Sequence, residues 1–408
     1  MKRRISYKRF YISLLLLYII CLPLNAINLG SWGAALKIFA ILPVCVALFG
    51  GERIRLGAPT LMQMLFTVFA FFSLIWTAQV DESTERVISY ALLLALLMSG
   101  AAFSYTEEDV QKIKQALVWS SRLTAAVMLI FAEYIEGRFQ LTGTIDEDPN
   151  YLCAYLAFGV VYAIGVLTEK TTIKKKLISV LELIIYFYLT LVSGSRGGLL
   201  AIAAGAGAFL VVCRHGNAKN ILKKVVLVSL AFGVMILLID LLPENLRERF
   251  TVENVAESGG SGRVDLWKQA VDLFKNSSVF RQFFGYGTAT IRWCFRVYGY
   301  HIVNVVHNMF LETLVELGII GLIIYSAAIF AFIKAAYKFA DKYAFSVMLS
   351  MLVMSLSTSI YTFKPYFNIM LFIIILQNMQ KSCRKQEVQD DQHNNPSIQC
   401  GKVYRRMY

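Results

Sequence analysis

Apolar residues occupy this chain in long blocks divided by short polar clusters, and most blocks are about 20 residues, the length a helix needs to cross a hydrocarbon core of roughly 30 Å. The pattern predicts twelve spans, at 10–29, 33–49, 60–77, 87–104, 115–133, 150–167, 176–193, 197–213, 222–242, 308–333, 343–361 and 364–380. One interval breaks the rhythm. From Pro243 to Val306 the chain is hydrophilic, and it then runs into His307-Asn308 at the start of the tenth span. The expected architecture is an all-α polytopic membrane protein: a single transmembrane helical domain over residues 1–380, with one large loop (243–306) between helices nine and ten. Residues 381–408 form a polar, charged and disordered tail.

Composition agrees with the pattern. At 57% hydrophobic, 16% charged and a mean hydropathy of +0.58, the chain lies far outside soluble composition. The Lys and Arg residues give the spans an orientation. Twenty fall at the amino terminus and in alternate loops, whereas the opposite short loops hold four, Arg86, Arg138, Arg196 and Lys364. Basic short loops stay on the cytoplasmic side, so both termini are predicted to be cytoplasmic and the long loop to face outward. The net charge of +13 is mostly this bias plus a basic tail, which removes it as an argument for nucleic acid. The basic amino terminus precedes a full-length apolar run and so reads as a retained first helix rather than a cleaved leader. Of seven cysteines only Cys294 lies in the outer loop, with Cys153 near that face, and no disulfide framework or metal-type spacing is present.

Within the loop, Val264, Trp267, Val271 and Phe274 recur at helical spacing after the flexible stretch 257–262. This short amphipathic helix either lies in the membrane interface or packs on the bundle, and both arrangements put Arg263 at its start. Three motifs share the outer face. Ser193-Gly-Ser-Arg-Gly-Gly198 joins spans seven and eight, with small residues for close approach, free backbone N–H groups for an anion, and the planar donor fork of Arg196 for phosphate oxygens. The alternative is a hairpin whose arginine reaches lipid headgroups. Gly262-Arg263 with Trp267 is the second motif. The third is His307-Asn-Met-Phe-Leu311, continuing to Glu316-Leu-Gly318 and Gly321. A histidine at a helix entrance suits general-base work or, alternatively, satisfies the helix's free donors. Glu312 and Glu316 share a helix face and would orient the histidine, bind a sugar hydroxyl, or favour the helix dipole. Asp146-Glu-Asp-Pro-Asn150 offers an Asp-x-Asp metal arrangement but fits better as a helix start, with Asp148 as cap, Pro149 first in the helix and Asn150 left to bond substrate.

Asp148-Pro-Asn150, Ser193-x-Ser-Arg196-Gly, Ser261-Gly-Arg263 with Trp267, Phe284-Gly-Tyr-Gly287 and His307-Asn308-x-x-Leu311 up to Gly321 stand in an order that resembles the O-antigen ligase and polymerase family, over about residues 146–321. The resemblance implies a type-C membrane glycosyltransferase of the bacterial cytoplasmic membrane, using a polyprenyl-pyrophosphate-linked oligosaccharide donor and a glycan or lipid acceptor. It implies that Arg196 and Arg263 bind pyrophosphate and that His307 is catalytic. Ser193, Ser195, Asn308, Asn150, Glu312 and Trp267 are then expected around the substrate.

Chemistry supports the same expectation. Nucleotide sugars are absent outside the cytoplasmic membrane, so an outward transferase needs a lipid-anchored leaving group, and guanidinium groups stabilise a departing pyrophosphate without a metal or other cofactor. Neutral His307 would deprotonate the acceptor hydroxyl in a single, inverting displacement. A repeat-unit polymerase is preferred to a ligase. A polysaccharide transporter or flippase is the rival from another class, but it predicts charges near the midplane and two related halves, whereas Lys37, Arg122 and Glu182 are the main charges within spans and no halves repeat.

Overall fold

The computed structural model describes residues 2–26, 32–51, 54, 56–135, 138–141, 149–212, 226, 233, 239, 242–251, 262–339 and 341–392. Among them are fifteen α-helices: α1 (Lys2–Cys21), α2 (Trp32–Gly50), α3 (Ala58–Phe72), α4 (Val80–Gly100), α5 (Glu107–Phe131), α6 (Pro149–Thr168), α7 (Ile173–Val192), α8 (Arg196–Val212), α9 (Glu244–Glu248), α10 (Arg263–Lys275), α11 (Val279–Phe284), α12 (Ile291–Val297), α13 (Met309–Lys338), α14 (Lys342–Ser355) and α15 (Lys364–Gln392). A small antiparallel hairpin, β1 (Glu133–Ile135) with β2 (Arg138–Gln140), follows α5. Among the described residues, four helical stretches are long and apolar enough to cross a membrane: Tyr7–Asn25, Ala58–Ile75, Pro149–Thr168 and Met309–Lys338. The ninth expected span lies almost wholly outside the described residues.

The helices start where side chains or proline satisfy their free backbone donors. Thr106 and Asp109 form a reciprocal capping box on α5, Asp341 caps α14, and Pro149 opens α6. Outer surfaces are apolar and some inner faces are polar. On α3, Leu61, Leu65, Val68 and Phe72 are exposed at spacings of four, three and four, while Thr60, Gln63 and Thr67 are buried. On α7 the exposed stripe is Leu177, Leu181, Ile184 and Tyr188, again at spacings of four, three and four. Such stripes face lipid, where helix association relies on packing and on buried polar side chains. Arg122 of α5 meets Glu182 of α7 at 2.7 Å, so two of the charges inside spans neutralise each other.

Within the long loop, the described residues 262–306 form a built structure. Leu266, Ala270 and Leu273 of α10 form a second core with Tyr286, Ile291, Cys294, Phe295, Val306 and Val315, the last contributed by α13. The helix therefore packs on the bundle, and its buried face is rotated from the expected one: Val264 is exposed, and Trp267 and Phe274 flank the core. The last helix also continues to Gln392, so residues 381–392 of the expected disordered tail are helical. Residues 393–408 lie outside the described residues.

A break in α13 locks loop and bundle together. Gly318 takes φ 67° and ψ −170° inside the helix, which interrupts the hydrogen-bond ladder across it. The N–H groups of Tyr286 and Gly287 donate to the carbonyls of Val315 and Glu316, at 3.1 and 2.8 Å. Backbones approach so closely that a Cβ on Gly285 would lie 2.2 Å from the Glu316 carbonyl oxygen, and one on Gly318 would lie 2.3 Å from the Phe283 carbonyl. Two sequence motifs, Phe284-Gly-Tyr-Gly287 and Glu316-Leu-Gly318, are thus the two halves of one backbone contact.

Candidate functional site

The turn between α7 and α8 is the first component. Gly194 adopts φ +61°, a left-handed backbone that glycine accepts without steric cost. Around it the Ser195 hydroxyl accepts from the Gly198 N–H at 2.9 Å and donates to Asn150 Oδ1, and the Ser193 hydroxyl donates to the Thr190 carbonyl at 2.7 Å. Ser193, Ser195 and Asn150 are all buried. These three residues, expected at the substrate, hold the turn's shape through these bonds. Gly197 and Gly198 leave room for neighbours, since a Cβ on either would collide with Ser357 or Cys153.

Arginines gather at this turn. Arg196 begins α8 and Arg263 begins α10, directly after Gly262 in a left-handed conformation. Arg138 of β2 donates from Nε to the Ser193 carbonyl at 3.1 Å. A Cβ on Gly194 would lie 3.1 Å from Arg249 Nε and 3.3 Å from Arg138 Nε. Burial lowers the Arg196 pKa from its ordinary value, and the charges of Arg249 and Arg263 push it the same way. Arg196 and Arg263, far apart in sequence, therefore act on one another. Arg249 and Arg138 escape a reading of motifs because neither sits in one; their only signal is a basic residue on the side expected to face outward.

His307 is the second component. It is half-buried and has φ +52°, an uncommon conformation for a residue with a side chain. Both neighbours hold it there. Asn308 caps α13, its Oδ1 accepting from the N–H groups of Phe310 and Leu311 at 3.1 and 3.2 Å, so Asn308 rather than the histidine satisfies the helix start. Before it, the Val306 carbonyl accepts from the Trp267 indole at 3.1 Å, and the Val306 N–H donates to the Glu312 carboxylate. Trp267 and Glu312, expected to touch substrate, fix the backbone that carries the histidine.

Glu312 is fully buried and also accepts from the Ser359 hydroxyl. The Ser359 carbonyl in turn accepts from the Tyr151 hydroxyl at 2.6 Å. Tyr151 follows Asn150, which holds Ser195. A continuous path of bonds thus joins the Ser193–Gly198 turn to His307 through the start of α6 and the segment after α14. Arg86 stands over the Tyr361 ring at 5.1 Å and is drawn electrostatically to Glu312 and Glu316. Glu316 Oε1 accepts from the Ile291 N–H at 3.3 Å, tying the carboxylate to the start of α12. Among the described residues no cluster of three or more metal-binding side chains occurs, and Asp146 and Asp148 lie outside them.

Comparison with known proteins places these parts together. Residues 181–326, which hold the turn, α10, the Gly285–Gly318 contact and His307, match the family model described as O-Antigen ligase. A candidate polysaccharide ligase of Rickettsia conorii is 23% identical over 298 residues, covering 68% of each chain. The exopolysaccharide production protein ExoQ of Rhizobium meliloti is 21% identical over 294 residues, 64% of this chain and 61% of its own. The teichuronic acid biosynthesis protein TuaE of Bacillus subtilis is 24% identical over 381 residues, 82% of this chain and 75% of its own.

Proposed function

We propose that this chain, which matches the O-antigen ligase family model over residues 181–326, transfers a glycan from a polyprenyl pyrophosphate to an acceptor hydroxyl on the outer face of the bacterial cytoplasmic membrane. The observation that supports this reading is the bonded path from the arginine-bearing turn to His307, which holds a group of arginines and a candidate base within one framework. Arg196 and Arg263 hold the pyrophosphate. Neutral His307 takes the proton of the acceptor hydroxyl as its oxygen attacks the anomeric carbon. The bond from that carbon to the pyrophosphate breaks in the same step, its electron pair leaves with the lipid pyrophosphate, and the configuration inverts. The guanidinium groups meet the charge that develops, so no step requires a metal.

Polymerase is preferred to ligase; the Rickettsia relative is named for ligation, and the names of the other two specify neither step. Vesicles containing the purified protein and lipid-linked oligosaccharide test the reading. Wild type should build a ladder of products, and His307→Ala and Arg263→Ala should insert normally but lose transfer. A single addition would make the chain a ligase, and movement of unmodified lipid across the bilayer without transfer would make it a flippase. Retained activity in His307→Ala would remove the base assignment. Activity should also survive EDTA; collapse with EDTA and recovery with manganese would assign Asp146 and Asp148 as ligands.

A further inference from the structure

Arg138 and Arg249 reach the turn that leads into Arg196, and Arg263 acts on Arg196 electrostatically; the proposed transfer uses only two of these four arginines. Arg138 donates to the Ser193 and Gly194 carbonyls, so its role is to brace the turn. Arg249 differs. Its Nε is buried, has no hydrogen-bond partner among the described residues, and lies beside Gly194. The segment that carries it is anchored, because Leu246 is buried and Asn245 accepts from the Tyr134 hydroxyl of β1 at 2.7 Å. A guanidinium edge fits phosphate oxygens in pairs, and a buried Nε without a partner is satisfied by meeting one.

We propose that Arg249 is a third phosphate ligand, gripping a diphosphate from the α9 side while Arg196 and Arg263 hold it from α8 and α10. This rests on the reading of the site as a lipid-pyrophosphate site, and it gives that site a way to prefer a diphosphate over a monophosphate. A single phosphoryl group can be met by fewer guanidinium groups, so the third contributes chiefly when a second phosphoryl group is present.

Binding by the full-length protein in detergent tests the assignment, with farnesyl diphosphate, farnesyl monophosphate and inorganic pyrophosphate as probes. Wild type should bind farnesyl diphosphate more tightly than the monophosphate. Arg249→Gln should weaken diphosphate binding about tenfold and leave monophosphate binding nearly unchanged. Arg249→Lys, which keeps the charge but not the fork, should recover only part of the loss and serves if the glutamine variant does not fold. Diphosphate affinity unchanged in both variants would overturn the proposal. If Arg196→Ala and Arg263→Ala keep wild-type affinity while the Arg249 variants lose it, Arg249 stands as an anion ligand and the transfer reading falls. Equal affinity for inorganic pyrophosphate would support the Arg249 contact and identify the ligand as the free anion rather than a lipid headgroup.

Discussion

Val306 contributes to the site only through its backbone, yet both of its hydrogen-bonding groups are taken, the N–H by Glu312 and the carbonyl by the Trp267 indole. The next residue is the histidine with a left-handed backbone. Trp267→Phe keeps an aromatic ring in the second core but removes the donor. It should cost about 1 kcal/mol of stability and lower the turnover number several-fold at unchanged donor KM, measured as initial rates in vesicles. An equal rise in KM with constant turnover would instead make Trp267 a substrate contact. The sequence singles out His307, Arg196 and Arg263 as candidates because their chemistry is carried by side-chain type. It did not reveal the tasks of Trp267 and Asn308, which are bonds to backbone atoms that no residue type discloses. Arg249 was hidden for a related reason: its partner turn lies 55 residues away in the chain.

At the level of elements, hydropathy located most helices because lipid-facing stripes are continuous and apolar. It failed where a helix leaves that environment. The fourth helix begins at Val80 rather than 87, since Asp81, Glu82 and Glu85 form a helical turn without hydrophobicity. The helix expected to reach 361 stops at Ser355, freeing the segment that supplies Ser357 and Ser359. The contact of residues 283–287 with the broken α13 was present in the sequence only as three glycines. Gly285→Ala and Gly318→Ala should each destabilise the protein by more than about 2 kcal/mol, combining positive φ with a backbone collision. Gly207→Ala, in a helix with nothing near its Cβ, should be neutral or stabilising by up to about 1 kcal/mol. Thermal unfolding in detergent separates the two cases, and equal effects at all three positions would remove the interlock as a stabilising feature.

For the whole molecule, the basic-residue bias expects α10 outside and the α6–α7 connection inside. Lys275→Cys should therefore react with a membrane-impermeant maleimide in intact cells, and Lys170→Cys only after permeabilisation; the reverse pattern would invert the topology. Cys294 will not confuse this assay at pH 8. It is fully buried, and burial pushes its thiol up to about 12, so the reactive thiolate is scarce until far higher pH. The bonds from Tyr286 and Gly287 to Val315 and Glu316 have a consequence in time as well as in space. The ribosome makes the donors first, and their acceptors exist only once α13 has been synthesised and inserted. The segment around Tyr286 and Gly287 thus cannot complete its bonds on an unfinished chain, and a nascent or truncated protein lacks the assembled contact beside the proposed transfer site.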